Sequence, residues 1–248
     1  MKVSQIFIMD MDFVFPRGVS FFEPYLAYFI REILEIGGEA YVARGDDDAV
    51  MGVFMYDCAE KVGSIYTASR ETFDYFYGLK PFNYVFAELK TELENEAYNI
   101  HTIDLDSFSF NHRFTHEISM ADTSQADELE RFMVLTHPGI NRRWVKVALK
   151  NGDKCFTIRL GDEIAGVGWA SLVSGVGRLH SLYVKPQYRR LGMGDDILGA
   201  RLLWLKSKGA HLVFSEISQH NFSCSRIASK EQMSVSGQVY QYFKKKTK

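Results

Sequence analysis

The sequence predicts a mixed α/β protein made of two related halves, and three observations carry that prediction. The first is the stretch Leu179–Trp204, where alternating apolar Leu182 and Val184 lead through Pro186 into a loop with Arg189, Arg190, Gly192 and Gly194. Beyond the loop, Leu198, Leu202 and Leu205 recur at helical spacing, so the order is strand, glycine loop, helix. The second is that short strand-like runs alternate with helix-like segments along the whole chain. The third is an internal echo: Gly52-Val53 and Val62–Thr67 fall on Gly166-Val167 and Val176–Ser181 at a constant spacing of 114. Residues 1–112 and 113–248 are the expected domains.

Each element has a local cause. Gln5–Met9 is apolar enough for a strand. Between Phe21 and Ile36, the residues Phe22, Leu26, Phe29, Ile33 and Ile36 step by three and four, and Gly37-Gly38 stops that helix. Strands are expected at Ala40–Arg44 and Ala49–Tyr56, joined by the hairpin sequence Gly45-Asp46-Asp47-Asp48. Val62–Thr67 and Tyr84–Leu89 are further strands, Thr72–Tyr77 and Thr91–Asn99 helices, and Ile100–Leu105 extended. The aromatic run from Phe73 to Phe86 reads as packed core with aromatic edges.

In the second half, Asp122, Thr123 or Ser124 can cap a helix carrying Leu129, Phe132, Met133 and Leu135. Lys154–Arg159 and Ile164–Ser171 form a hairpin around Gly161-Asp162, Gly177–Val184 supplies the central strand, and His211–Ile217 the next one.

Composition narrows the function classes. With 248 residues, 46% hydrophobic and 24% charged, the chain has an ordinary globular make-up. A net charge of −2 argues against a nucleic-acid partner, and the basic Lys244–Lys248 end reads as a solvated tail. Cys58, Cys155 and Cys224 lack paired spacing and fit reduced thiols in the cytoplasm. Asp10 and Asp12 interrupt the apolar start, so neither a signal peptide nor a membrane span is expected. No metal-ligand pattern stands out, and oligomeric state is left open, with room for a homodimer.

A strand, glycine loop and helix make an anion site, because the first-turn N–H groups have no partner inside the helix and the dipole favours negative charge. The stretch resembles the GNAT acetyltransferase superfamily, whose acyl-CoA pyrophosphate loop reads Q/R-x-x-G-x-G/A after a strand ending V-x-P. Here Val184-x-Pro186 is followed by Arg189-x-x-Gly192-x-Gly194. The resemblance covers roughly residues 114–248 and implies an N-acetyltransferase that moves the acetyl group of acetyl-CoA to a primary amine. It implies a cofactor site made of the backbone of Leu182, Tyr183 and Val184, the loop Arg189, Arg190, Leu191, Gly192, Met193, Gly194 and Asp195, and Asn221.

The same resemblance places two candidate bases. His180 stands two residues before Leu182, where arylalkylamine N-acetyltransferases carry a histidine, and an ordinary pKa near ~6.5 suits it to take the amine's proton. Simple strand alternation puts Arg178, His180, Leu182 and Val184 on one face. Glu216 on the next strand is the alternative base. The family's N-x-x-A-x-x-L-Y segment aligns with Asn221, but Ala228 stands where its acid tyrosine should be. That departure keeps open a second class, a CoA-binding regulatory module without catalysis. Asp195 and Asp196 would oppose a bound anion unless they turn away from it. The first half has Tyr75, Gly78 and Lys80 opposite Arg189, Gly192 and Gly194, so it is expected to be a GNAT-like module without a cofactor site, serving as packing partner or substrate wall.

Overall fold

A computed structural model describes residues 1–6, 22–93, 95–137 and 140–243. The chain divides into two compact units, Met1–Tyr98 with Gln238–Lys248, and Asn99–Gly237. The division thus falls at Tyr98 rather than at 112, and the end of the chain returns to the first unit instead of closing the second.

The first unit contains β1 (Lys2–Ile6), α1 (Glu23–Glu35), β2 (Glu39–Arg44), β3 (Val50–Asp57), β4 (Val62–Tyr66), α2 (Arg70–Leu79) and β5 (Tyr84–Ala87). Its strands run in the order β1-β2-β3-β4-β5 and then β12 (Ser234–Phe243), the last strand of the chain. Phe7–Met9 of the expected first strand lie outside the described residues. The β2–β3 turn forms as expected, with Gly45 N donating to Ala49 O at 2.8 Å and Asp48 in the left-handed region. Phe54, Phe73, Phe76 and Tyr242 fill the core, so the aromatic run is packing. The helix expected over Thr91–Asn99 does not form. Asn95–Asp104 is one extended strand, β6, with a place in the sheet order, and its strand pairing overrides the local helix preference.

The second unit continues with β7 (Ser119–Ala121), α3 (Ala126–Thr136), α4 (Trp144–Lys150), β8 (Lys154–Leu160), β9 (Glu163–Val173), β10 (Val176–Val184), α5 (Met193–Ser207), β11 (Leu212–Ser218) and α6 (Phe222–Lys230). Its strand order is β6-β11-β10-β9-β8-β7. Asp122 caps the turn before α3 through a capping box with Gln125, as the sequence suggests. The short strand β7 and the helix α4 were not visible in the sequence pattern.

Two apolar clusters lie on opposite faces of this sheet. One is built from α5 (Met193, Ile197, Leu198, Leu202, Leu205) against Phe156, Ile158, Leu179 and Val213. The other is built from α3 and α4 (Leu129, Met133, Val145, Leu149) against Val167 and Trp169. Both units repeat one topology: β3–β4 and β9–β10 are antiparallel, and β4–β5 and β10–β11 are parallel across an intervening helix. Among the described residues, no helix is long and apolar enough to cross a membrane.

Candidate active site

The site forms where β10 stops pairing with β11. Parallel pairing joins Val176, Gly177 and Arg178 to Leu212, Val213 and Phe214, and goes no further. The remaining length of β10, through Val184, therefore keeps a main-chain edge free of that partner, a place where an extended ligand can hydrogen-bond as a strand would.

A bulge decides which side chains face which way. The pairing of β10 with β9 shifts register between His180 and Tyr183, and Ser181 takes φ 50°. In consequence Leu182 and Val184 pack with the α5 cluster, whereas His180 and Tyr183 face α3 and α4. The expectation that His180 shares a face with Leu182 and Val184 is thus corrected: one extra residue reverses the alternation.

The loop after β10 is shaped as an anion cradle. Gly192 has φ 85°, a conformation that costs a residue with a Cβ, and Arg190 is left-handed as well. Helix α5 begins at Met193 without a side-chain cap, so the first-turn N–H groups of Met193, Gly194 and Asp195 project from the helix end. A Cβ at Gly194 would stand 2.9 Å from Ile227 of α6, so the packing of that helix also favours glycine there. Arg189 and Leu191 are exposed beside the cradle; Arg189 Nε donates to Val184 O at 3.1 Å and its guanidinium stacks 5.6 Å from the Tyr183 ring. By contrast α2 of the first unit is closed by its own Ser69, whose hydroxyl accepts from Thr72 N.

The two acidic residues of the first α5 turn are both neutralised. Asp195 pairs with Lys230 Nζ at 3.0 Å. Asp196 is 2% exposed and turned inward, taking His112 Nε2 and His116 Nδ1 at 2.7 Å each and Thr115 Oγ1 at 2.8 Å, together with the N–H groups of Thr115 and His116. Burial alone would raise its pKa, yet the hydrogen bonds from His112, His116 and Thr115 outweigh it and lower the value to about 2. His112 also reaches Glu231 at 3.1 Å. This cluster was missed by sequence reasoning, because its members are spread over residues 112 to 231 and only folding gathers them.

His180 lies between Trp144 and Trp169, with ring centroids 5.6 and 6.4 Å away. Its Nε2 is buried and 3.5 Å from Asp153 Oδ2, while Nδ1 is 3.4 Å from Ser181 Oγ. Burial lowers its pKa, with Asp153 opposing that shift. His137, near Tyr183, is lowered to about 4, first by burial and then by the repulsion that the nearby His180 would add once both rings took up protons. Glu216, the alternative base, is engaged by Arg178: both carboxylate oxygens lie 3.2 Å from Nε.

Asn221 caps α6 by accepting from Cys224 N at 3.2 Å. Ala228 is buried in the α5 cluster. Tyr240 and Tyr242 belong to the first unit's core. Arg201, also missed in the sequence, is 2% exposed and donates to the carbonyls of Trp169 and His180 at 3.1 and 3.3 Å. Among the described residues, no group of His, Cys, Asp and Glu is placed to hold a metal.

Comparison with known proteins fits this geometry. Residues 110–226 match the model of the acetyltransferase (GNAT) family. No curated protein matches the sequence. Among solved structures, a Drosophila protein shares the fold with a TM-score of 0.66 at 12% identity over 92% of both chains. A GCN5-related N-acetyltransferase from Sphaerobacter thermophilus gives 0.59 at 13% identity, covering 83% of this chain and 80% of that one. A tandem GNAT protein from the clavulanic acid biosynthesis pathway gives 0.58 at 10% identity, covering 86% and 84%.

Proposed function

We propose, from the match of residues 110–226 to the acetyltransferase (GNAT) family model, that the protein moves the acetyl group of acetyl-CoA to a primary amine of a small molecule or peptide. The observation that carries the proposal is the uncapped start of α5 behind the left-handed Arg190–Gly192 turn, next to the unpaired edge of β10. A diphosphate matches the first, through the N–H groups of residues 193 to 195 and the cations of Arg189 and Arg190. An amide-bearing pantetheine arm matches the second, through the main chain of Leu182, Tyr183 and Val184.

The chemistry asks little of side chains. The amine nitrogen attacks the thioester carbon and gives up a proton, and the C–S bond breaks with its electron pair leaving on sulfur. Main-chain N–H groups on β10 would stabilise the oxyanion, and His180, held neutral by burial, would receive the proton. Glu216 is the weaker candidate, since Arg178 stabilises it as an acceptor of hydrogen bonds from that guanidinium. Cytoplasmic location is part of the same proposal, resting on three unpaired cysteines at dispersed positions.

A non-catalytic CoA-binding module is the second reading, favoured by Ala228 at the acid tyrosine's position. Incubating the protein with acetyl-CoA and 2-phenylethylamine, histamine, spermidine and lysine, while following thiol release, separates the two. Amine-dependent release supports the transferase. Tight CoA binding in calorimetry without any such release supports the module.

A further inference from the structure

Resting on the acyl-transfer function proposed above, we infer that Ser181 is the catalytic residue that carries the acceptor amine's proton to His180, and that Asp153 is a positioning residue that fixes the imidazole. The route follows from which ring nitrogen is reachable. His180 Nε2 is buried without a hydrogen-bond partner among the described residues, with the Asp153 carboxylate 3.5 Å away as its nearest anionic group, and the ring is enclosed by Trp144 and Trp169. An acceptor cannot approach that nitrogen. Nδ1 instead points along the strand to Ser181 Oγ at 3.4 Å.

With Nε2 carrying its hydrogen toward Asp153, the lone pair sits on Nδ1 and faces the serine hydroxyl. Ser181 in turn is the residue of the β10 bulge, at the stretch where β11 no longer pairs. It holds φ 50° with a side chain, where glycine would be free of strain. A strained backbone that retains a hydroxyl at the open edge of a strand is explained if the hydroxyl is used. Arg201 secures the arrangement from below by bonding the carbonyls of His180 and Trp169.

The N–C bond forms as the amine nitrogen attacks, its proton passes to Ser181 Oγ, and the serine's own proton passes to His180 Nδ1. The C–S bond breaks and its electron pair leaves with the CoA sulfur. The imidazolium is held by Asp153 until its proton returns through solvent to the thiolate. Serine ends the cycle as a hydroxyl, and no acyl-serine forms.

Two measurements on the full chain test this. Nitrogen-15 spectra of the histidines at neutral pH, with His180 assigned from His180→Gln, should show Nε2 protonated and Nδ1 bare, and Asp153→Asn should disturb that tautomer. A protonated Nδ1 in the wild-type protein overturns the relay whether or not an acceptor amine is known. With acetyl-CoA and whichever probe amine is turned over, Ser181→Ala and Ser181→Gly should each lower kcat by about a hundredfold, leave the KM for acetyl-CoA unchanged, and turn a curved solvent-isotope inventory into a linear one. Wild-type kcat in Ser181→Gly would mean that only the backbone matters, and an acylated Ser181 in quenched samples would mean a covalent route; either result refutes the relay. Failure of the transferase function itself is read separately, as no amine-dependent thiol release by the wild-type protein.

Discussion

Replacing Asp196 by Asn tests whether the carboxylate at the start of α5 fastens that helix to residues 112–116. In the folded protein this carboxylate takes hydrogen bonds from His112, His116 and Thr115, which lower its pKa to about 2 from the ordinary 3.8. That difference corresponds to about 2 kcal/mol of preference for the charged form. The amide keeps one acceptor but turns an NH2 group toward donors, and leaving a buried polar group unsatisfied costs ~1–3 kcal/mol, more where a charged group loses its partner. The expected loss at neutral pH is therefore about 2–4 kcal/mol in the second unit. All three tryptophans, Trp144, Trp169 and Trp204, lie in that unit, so urea unfolding followed by tryptophan fluorescence reports it selectively.

The sign with pH is fixed. A depressed carboxylate pKa stabilises the fold above about pH 3.8, and the contribution fades as pH falls through about 2. Wild type and variant should accordingly converge in acid. Because Asp196 sets the position of the first α5 turn, the Kd for CoA should also rise about tenfold, equivalent to ~1.4 kcal/mol. A variant within ~0.5 kcal/mol of wild type at pH 7, or a gap that persists unchanged toward pH 2, would refute the fastening role.

Other perturbations address different parts of the site. Gly192→Val, placed where φ is 85°, should raise the Kd for CoA at least about tenfold while the protein still folds; calorimetry at unchanged affinity would remove the loop from the site. Titration should find one CoA per chain, since only α5 of the two corresponding helices lacks a side-chain cap; two equivalent sites would contradict this. His180→Gln should cost on the order of 10²–10⁴ in kcat/KM and flatten the acid limb, which burial places below the ordinary histidine pKa. Burial also holds His137 at about 4, so the unfolded chain takes up that proton first and stability should fall by up to about 3 kcal/mol from pH 6.5 to 4. Denaturation of His137→Gln over the same range should show a shallower decline, and an equal decline would assign the slope elsewhere.

The sequence by itself determined the features that depend on neighbours along the chain. The strand, glycine loop and helix at 176–207, the hairpins at Gly45 and Gly161, and the capped entry to α3 follow from local rules, because turns and helix ends are governed by residues two to four apart. The 114-residue echo was legible for the same reason, and it reappears as one topology repeated in two units. Tertiary structure alone decided what those elements bring together. The bulge at Ser181 adds one residue to a strand of otherwise ordinary alternation, and so turned His180 toward Trp144, Trp169 and Asp153 and away from Leu182. Asp196 read as a neighbour of the bound anion, yet a helix turn rotates it inward to His112 and His116, some 80 residues earlier in the chain. Glu216, a candidate base by its position in the sequence, is joined in the fold to the guanidinium of Arg178 on the neighbouring parallel strand. Contacts of this kind cost chain entropy that only the packed sheet repays, and they leave no spacing in the sequence from which to read them.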